Sequence, residues 1–545
     1  MITRVLAATS LLILTACKFA ELPPVDETDA SRIDAASLDD GGSTQYTLTL
    51  TVDGAGTGAG SISVEPGGFT CSASTCTRIY DAGDELTITV AGASGVDGVM
   101  TVNGDCTSSP CSMVMDANHT VTAQFVRYAC APSTATCSNG MYSECDATGN
   151  FVSHVIPNGM DDGSPLILTM NNYACPMGCH ASQPRCADMT LGNGVELALD
   201  TPGVSPTGED IVLPKIGAPA GTIAINTGNF NASLGTIQVT DTDGATVRLP
   251  AHIVEQPGDA PAVLVIKARS FTLRAGSTLK VSGPPAFGIA SHFDTYIAGT
   301  IDASSDWNGS SLVLGPGAQP QSAACSGGFS AAAPTATGGG GGACVGGASS
   351  TGANGGSLSA VRPPFVVGGC SGGKSTFQLD IPGLPGGGVM FASRRRVYVS
   401  STALIDLTGT GGYGADNTAR GGGSGGNLVV FAPLAQVAGA ARIYARGGGG
   451  AAARVDEGVF GIDGPNTGIA GAGSTTCASC GTGGTGGYES QCTGGAGTGV
   501  AGGGIAGGGG AAGSCAFYSL SGAAGASSLA TRCVRVSETL MSRSP

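Results

Sequence analysis

The chain has 545 residues, enough for several domains, and its composition is unusual. Glycine supplies 94 of them, charged residues make up 12% and aromatic residues 5%, with Trp307 the one tryptophan. Soluble domains ordinarily carry about a quarter charged residues and about 7% glycine, so burial is expected to come from small and β-branched residues in thin, repeated layers. The formal net charge of −15 excludes nucleic acid as a partner and disfavours adsorption to anionic lipid.

At the N-terminus, Arg4 precedes an apolar run from Val5 to Leu14, which ends in Leu14-Thr15-Ala16-Cys17. A charged start, a short apolar stretch and a small-residue exit describe an export signal and not a spanning helix. With Cys17 placed directly after the small residues, the segment resembles a bacterial lipoprotein signal. That resemblance implies a signal peptide over 1–16, lipidation of Cys17, and attachment to a membrane through several acyl chains, which suffice for stable anchoring. Residues 17–44, acidic and poor in large apolar side chains, read as the lipidated cysteine and a disordered tether. Lys18 stands where an Asp retains many lipoproteins at the inner membrane. The resemblance therefore points to the outer membrane, at the cell surface or on its periplasmic face.

Setting Cys17 aside leaves 18 of the 19 cysteines, in blocks that are each even. Cys71, Cys76, Cys106 and Cys111 form the first; Cys130, Cys137, Cys145, Cys175, Cys179 and Cys186 the second. Cys325, Cys344, Cys370, Cys477, Cys480, Cys492, Cys515 and Cys533 form the third. That parity predicts disulfides closed within each block, in an oxidising compartment.

Residues 45–127 alternate strictly, as in Tyr46-Thr-Leu-Thr-Leu-Thr-Val52, Leu86-Thr-Ile-Thr-Val90 and Val121-Thr-Ala-Gln-Phe125, which predicts strands with one buried face. Gly56-Thr-Gly-Ala-Gly-Ser-Ile-Ser-Val64, Pro66-Gly-Gly-Phe-Thr-Cys71, Tyr80-Asp-Ala-Gly-Asp84 and Met115-Asp-Ala-Asn-His-Thr-Val-Thr-Ala-Gln-Phe125 carry a resemblance to a divergent InlB-type B-repeat. Such repeats are small β-rich modules of bacterial surface proteins. Where the family often carries Gly-Trp, this chain has Val102-Asn103-Gly104-Asp105, which puts an inherited binding face in doubt. The first guess at pairing is Cys71 with Cys76 and Cys106 with Cys111.

Residues 128–190 are cysteine-rich and lack periodicity, as expected of a connector stapled by disulfides. Cys175, Cys179, His180 and Cys186 can be drawn as a zinc site, but the spacing fits no common zinc pattern and the compartment oxidises thiols; disulfides are expected and no metal or cofactor.

Residues 191–545 form the third region. Ile211-Val-Leu213, Thr222-Ile-Ala-Ile225, Thr236-Ile-Gln-Val239 and Thr246-Val-Arg-Leu249 read as short strands, with a hairpin turn at Asp241-Thr-Asp-Gly244. A unit of a short strand, a tight Gly or Ser turn, a second strand and a Gly-rich excursion recurs over 262–304, 396–412 and 425–448. Strands this short in repeated coils suit a solenoid, and over about 205–450 the pattern resembles the right-handed parallel β-helix. The expected class is therefore all-β: a small β-rich module, a disulfide-rich connector, then a parallel β-helix-like solenoid with long Gly-rich loops held by cysteines. Extended Gly helices packed on the solenoid are the alternative for those loops.

A catalytic constellation is not evident in the sequence. A β-helix invites a polysaccharide lyase or glycoside hydrolase reading, and glycosidic hydrolysis needs two carboxylates about 5–9.5 Å apart. Asp294, Asp302 and Asp306 read better as turn formers, and the best rival site joins Arg394-Arg395-Arg396 to Asp406 on one coil. His119, His154, His180, His252 and His292 lack a nucleophile context, and Cys477-Ala-Ser-Cys480 lacks a thioredoxin-like frame. The expectation is a lipid-anchored surface protein with a structural, adhesive or glycan- and matrix-contacting role, its partners the membrane and possible polysaccharide.

Overall fold

A computed structural model describes residues 43–152 apart from 54–57 and 73, isolated positions between 173 and 186, and, with interruptions, residues 210–519 and 531–537. The signal segment, Cys17, the tether up to residue 42, His154 and His180 lie outside the described residues, as do Cys325, Cys344, Cys477, Cys492 and Cys533. The chain is all-β and divides into two compact units, the first drawn from the segments ending at Gly54, Ser61–Ala91 and Thr101–Gln124, the second from Ala55–Gly60, Gly92–Met100 and Phe125 onwards.

In the first unit two four-stranded sheets carry the alternation read from the sequence. Gln45–Asp53 runs parallel to His119–Arg127 and antiparallel to Thr75–Asp81, and Leu48, Leu50, Ile62, Val64, Leu86, Ile88 and Val121 turn inward at or below 1% exposure. Cys71 is bonded to Cys76 and Cys106 to Cys111, each closing a loop of five residues in separation.

The cysteine-rich segment opens the second unit. A hairpin of Ala135–Ser138 and Met141–Glu144 turns at Asn139 and Gly140, both at positive φ (52° and 73°), the conformation that two-residue hairpins require. Disulfides join Cys130 to Cys145, Cys137 to Cys179 and Cys175 to Cys186. The thiolates of the zinc reading are therefore consumed. Tyr142, Cys175 and Cys186 cluster with Phe293 of the solenoid, the two rings 5.6 Å apart, so this segment packs on the coils.

The solenoid is a parallel β-helix with three sheets. The first sheet stacks Ile211–Leu213, Phe271–Leu273, Asp294–Ile297, Arg396–Val399 and Leu434–Val437. The second stacks Thr222–Asn226, Thr278–Ser282, Thr300–Asp302, Leu404–Asp406, Arg442–Tyr444 and Thr531–Arg532. In the third, the hairpin Thr236–Thr240/Thr246–Val254 caps Val263–Ala268 in antiparallel fashion, with Gly244 in its turn at φ 81°. Ala286–Ser291, Gly388–Ser393, Asn427–Phe431, Ser514–Tyr518 and Val534–Ser537 then follow in parallel.

Strands of three residues survive because each inward side chain stacks on its equivalent one coil away. Leu273, Ile297, Val399 and Val437 form one such ladder, and Ile223, Leu279, Ile301, Ile405 and Ile443 a second. Leu264, Phe287, Val389, Leu428 and Cys515 form a third. The third sheet is also apolar on its outer face, where Val265, Met390, Val429 and Phe431 are buried, which explains continuous runs such as Leu428-Val-Val-Phe431.

The excursions depart from the loops expected of the sequence. In their described parts, glycines lie in extended segments bonded side by side, the alternative reading. Gly422 and Gly425 donate to the carbonyls of Gly508 and Ala511; Gly423 and Gly426 donate to Thr410 and Leu407; Ser424 donates to Cys370. Successive N–H groups thus point to three different neighbours and repeat every third residue, the mark of a threefold extended helix bonded laterally. The same period sends Gly507, Gly510 and Gly513 to Ala451, Gly448 and Ala445. Such segments approach until only hydrogen fits between them: a Cβ at Gly423 would stand 2.1 Å from the Leu384 carbonyl oxygen. Side-chain burial is replaced by backbone hydrogen bonds that leave few buried donors unpaired. Cys370, Cys480 and Cys515 in or beside this layer are disulfide-bonded.

Candidate functional site

Two groups of charged side chains sit on the coils, and neither is the arrangement expected from the sequence. The first lies where the third sheet turns into the first. Asp294, 2% exposed, accepts from Arg395 at 3.2 Å and Arg396 at 3.0 Å, both on the next coil. Arg394 meets Nδ1 of His292 at 2.9 Å. Arg394–Arg396 therefore do not join Asp406, which lies one sheet further along the same coil. A run of three arginines follows a strand ending at Ser393, and strand register sets Arg396 beside Asp294.

Replacing Asp294 by Ala should cost about 3 kcal/mol, because two guanidinium groups lose the buried carboxylate that bridges the coils. Denaturant unfolding of the variant measures it; a change below about 0.5 kcal/mol removes Asp294 as a coil-to-coil tie.

The second group is a row on the outer face of the second sheet. Lys280, Asp302, Asp406 and Tyr444 occupy one register on four successive coils. In-register neighbours on adjacent strands are about 4.8 Å apart, so the two carboxylates stack. Each also closes a turn as its strand ends: Asp302 accepts from the Ser304 N–H at 3.2 Å and hydroxyl at 2.6 Å, and Asp406 from the Thr408 N–H at 3.1 Å. Lys280 lies 3.9 Å from both Asp302 and Asp306. Burial, with the Asp302 charge adding to it, pushes the Asp406 carboxyl up to about 6, against the opposing Thr408 hydrogen bonds.

This row was only half legible in the sequence. Asp302-Ala-Ser304 and Asp406-Leu-Thr408 show the same Asp-x-Ser/Thr spacing, which signals turns. Their juxtaposition depends on the long excursion between Thr300–Asp302 and Gly388–Ser393 rejoining the coils in register.

The remaining sites are structural. In the first unit His119 reaches Asp105 at 3.2 Å and Asp116 at 3.0 Å, a latch across the start of its strand. Asp241, in the hairpin turn, accepts the Lys215 N–H at 3.0 Å and that of Thr242 at 2.7 Å. His252 is held neutral by burial and the nearby Lys267 charge, its pKa lowered to about 4. No group of three or more metal-ligating side chains occurs among the described residues.

The geometry defines the class: a three-sheet parallel β-helix bearing a hydrogen-bonded glycine layer. No family model, no curated protein and no solved structure matches this chain significantly.

Proposed function

We propose that this chain is an exported, lipid-anchored surface protein whose solenoid contacts polysaccharide or matrix without catalysing a reaction. The observation that carries the reading is the closure of ten cysteines in two blocks into five local disulfides, which suits an oxidising compartment outside the cytoplasm. The Cys17 resemblance supplies the anchor, and the ties of Asp294 to Arg395 and Arg396 support a structural use of the charged corner. The outer membrane is its expected location.

Cys17→Ser should move the protein from the membrane fraction to the soluble fraction, since loss of the acyl chains removes the apolar area that holds it. Fractionation of cells expressing the variant tests this. Membrane association equal to wild type rejects the anchor.

One observation favours a second reading, a β-helix carbohydrate-active enzyme. Asp302 and Asp406 are register neighbours on adjacent coils and one of them has a raised pKa, a pair of carboxyl groups of the kind glycoside hydrolysis uses. Incubation with neutral and acidic polysaccharides, with and without calcium, separates the readings. Cleavage that disappears in Asp406→Ala favours the enzyme.

A further inference from the structure

A groove of about 570 Å³ opens beside the carboxylate row, where the second sheet turns into the third. Asn226 and Ser282, in register on adjacent coils, stand on its polar side. Its apolar side is formed by Pro284, Leu312, Val313 and Leu314. Leu312 is 50% exposed, an unusual state for a leucine on a strand. The Asn226 Oδ1 is taken by the Gly228 N–H at 2.9 Å, which leaves its amide hydrogens directed away from that turn. Lys280, two residues before Ser282 on the same face, and Asp306, in register with Val313, continue the polar rim.

We propose that this groove binds a neutral sugar unit of a polysaccharide, a proposal that rests on the glycan-contacting reading above. The volume falls within the range of small-ligand sites. A pyranose presents an apolar C–H face and an equatorial belt of hydroxyls. The proline and leucine surface matches the first; the Asn226 amide donors, the Ser282 hydroxyl and the charged rim match the second. Acidic sugars are disfavoured by Asp302 and Asp306 at the rim and by the net charge of −15.

The test uses the full chain, solubilised in detergent, titrated with cellohexaose, maltohexaose, a hexameric oligogalacturonate and palmitate. Calorimetry supplies the affinity. A neutral hexasaccharide should bind, with the oligogalacturonate at least about tenfold weaker. Asn226→Asp keeps the acceptor that Gly228 needs and removes both donors; Leu312→Ser removes the exposed apolar surface. Each should weaken binding by about tenfold or more while thermal unfolding shows an intact fold, and Ser282→Ala serves if either variant unfolds. Neutral glycan binding that persists unchanged in these variants overturns the groove assignment and leaves the broader glycan-contacting reading standing. Absence of neutral glycan binding at millimolar concentration, or capture of palmitate instead, also overturns the assignment.

Discussion

Gly513→Ala should destabilise the solenoid by at least about 3 kcal/mol, and a second substitution of this kind should prevent folding. Gly513 donates its N–H to Ala445, and an added Cβ would lie 1.7 Å from the Gly426 carbonyl oxygen and 2.8 Å from the Gly425 carbonyl carbon. No flexible side chain end is available to yield, because the colliding atoms are backbone. Either the segment moves out, breaking the three-residue bonding period, or the neighbouring excursion does. Gly95→Ala is the control, with Ala131 Cβ at 3.9 Å the nearest atom. Urea unfolding followed by circular dichroism compares the two variants. Equal stabilities within about 0.5 kcal/mol would mean that the glycine layer tolerates side chains and does not hold the coils together.

Asp406→Asn should stabilise the protein at neutral pH, by up to about 3 kcal/mol, and leave it unchanged in acid. The sign follows from the direction of the shift. The folded carboxyl titrates at about 6, above the ordinary 3.8, because burial and then Asp302 disfavour its charge. The folded state therefore binds a proton that the unfolded chain has released. The favourable contribution of the neutral acid is complete below about pH 4 and is lost as pH rises through about 6. An asparagine is neutral throughout and retains an oxygen for the Thr408 N–H, so the variant escapes that loss. Unfolding free energies of the two proteins at pH 4, 6 and 8 should converge at pH 4 and diverge upwards. A difference that does not vary with pH would show that Asp406 is not the group responsible.

The sequence by itself determined what depends on neighbouring residues. Two-residue alternation in Tyr46–Val52 and Leu86–Val90 sets one apolar face on each strand, whatever that face meets. Asp-Gly at 243–244 sets a turn, and apolar triplets such as Ile211-Val-Leu213 set strands short enough for stacked coils. Asp302 was legible as a turn residue because an Asx turn is closed within two positions.

Tertiary structure alone decided which distant residues share a register. The pairing of Asp294 with Arg396, the stacking of Asp302 on Asp406 and the groove between Asn226, Ser282 and Leu312 all depend on where a long excursion rejoins the coil. Composition could not distinguish glycine loops from glycine helices, since both are rich in one residue without a side chain. The distinction lies in where each N–H points. For Gly422–Gly426 that is set by the Leu407 and Thr410 carbonyls of the same excursion and by Cys370, Gly508 and Ala511 of two others, and only the folded chain brings them within hydrogen-bond distance.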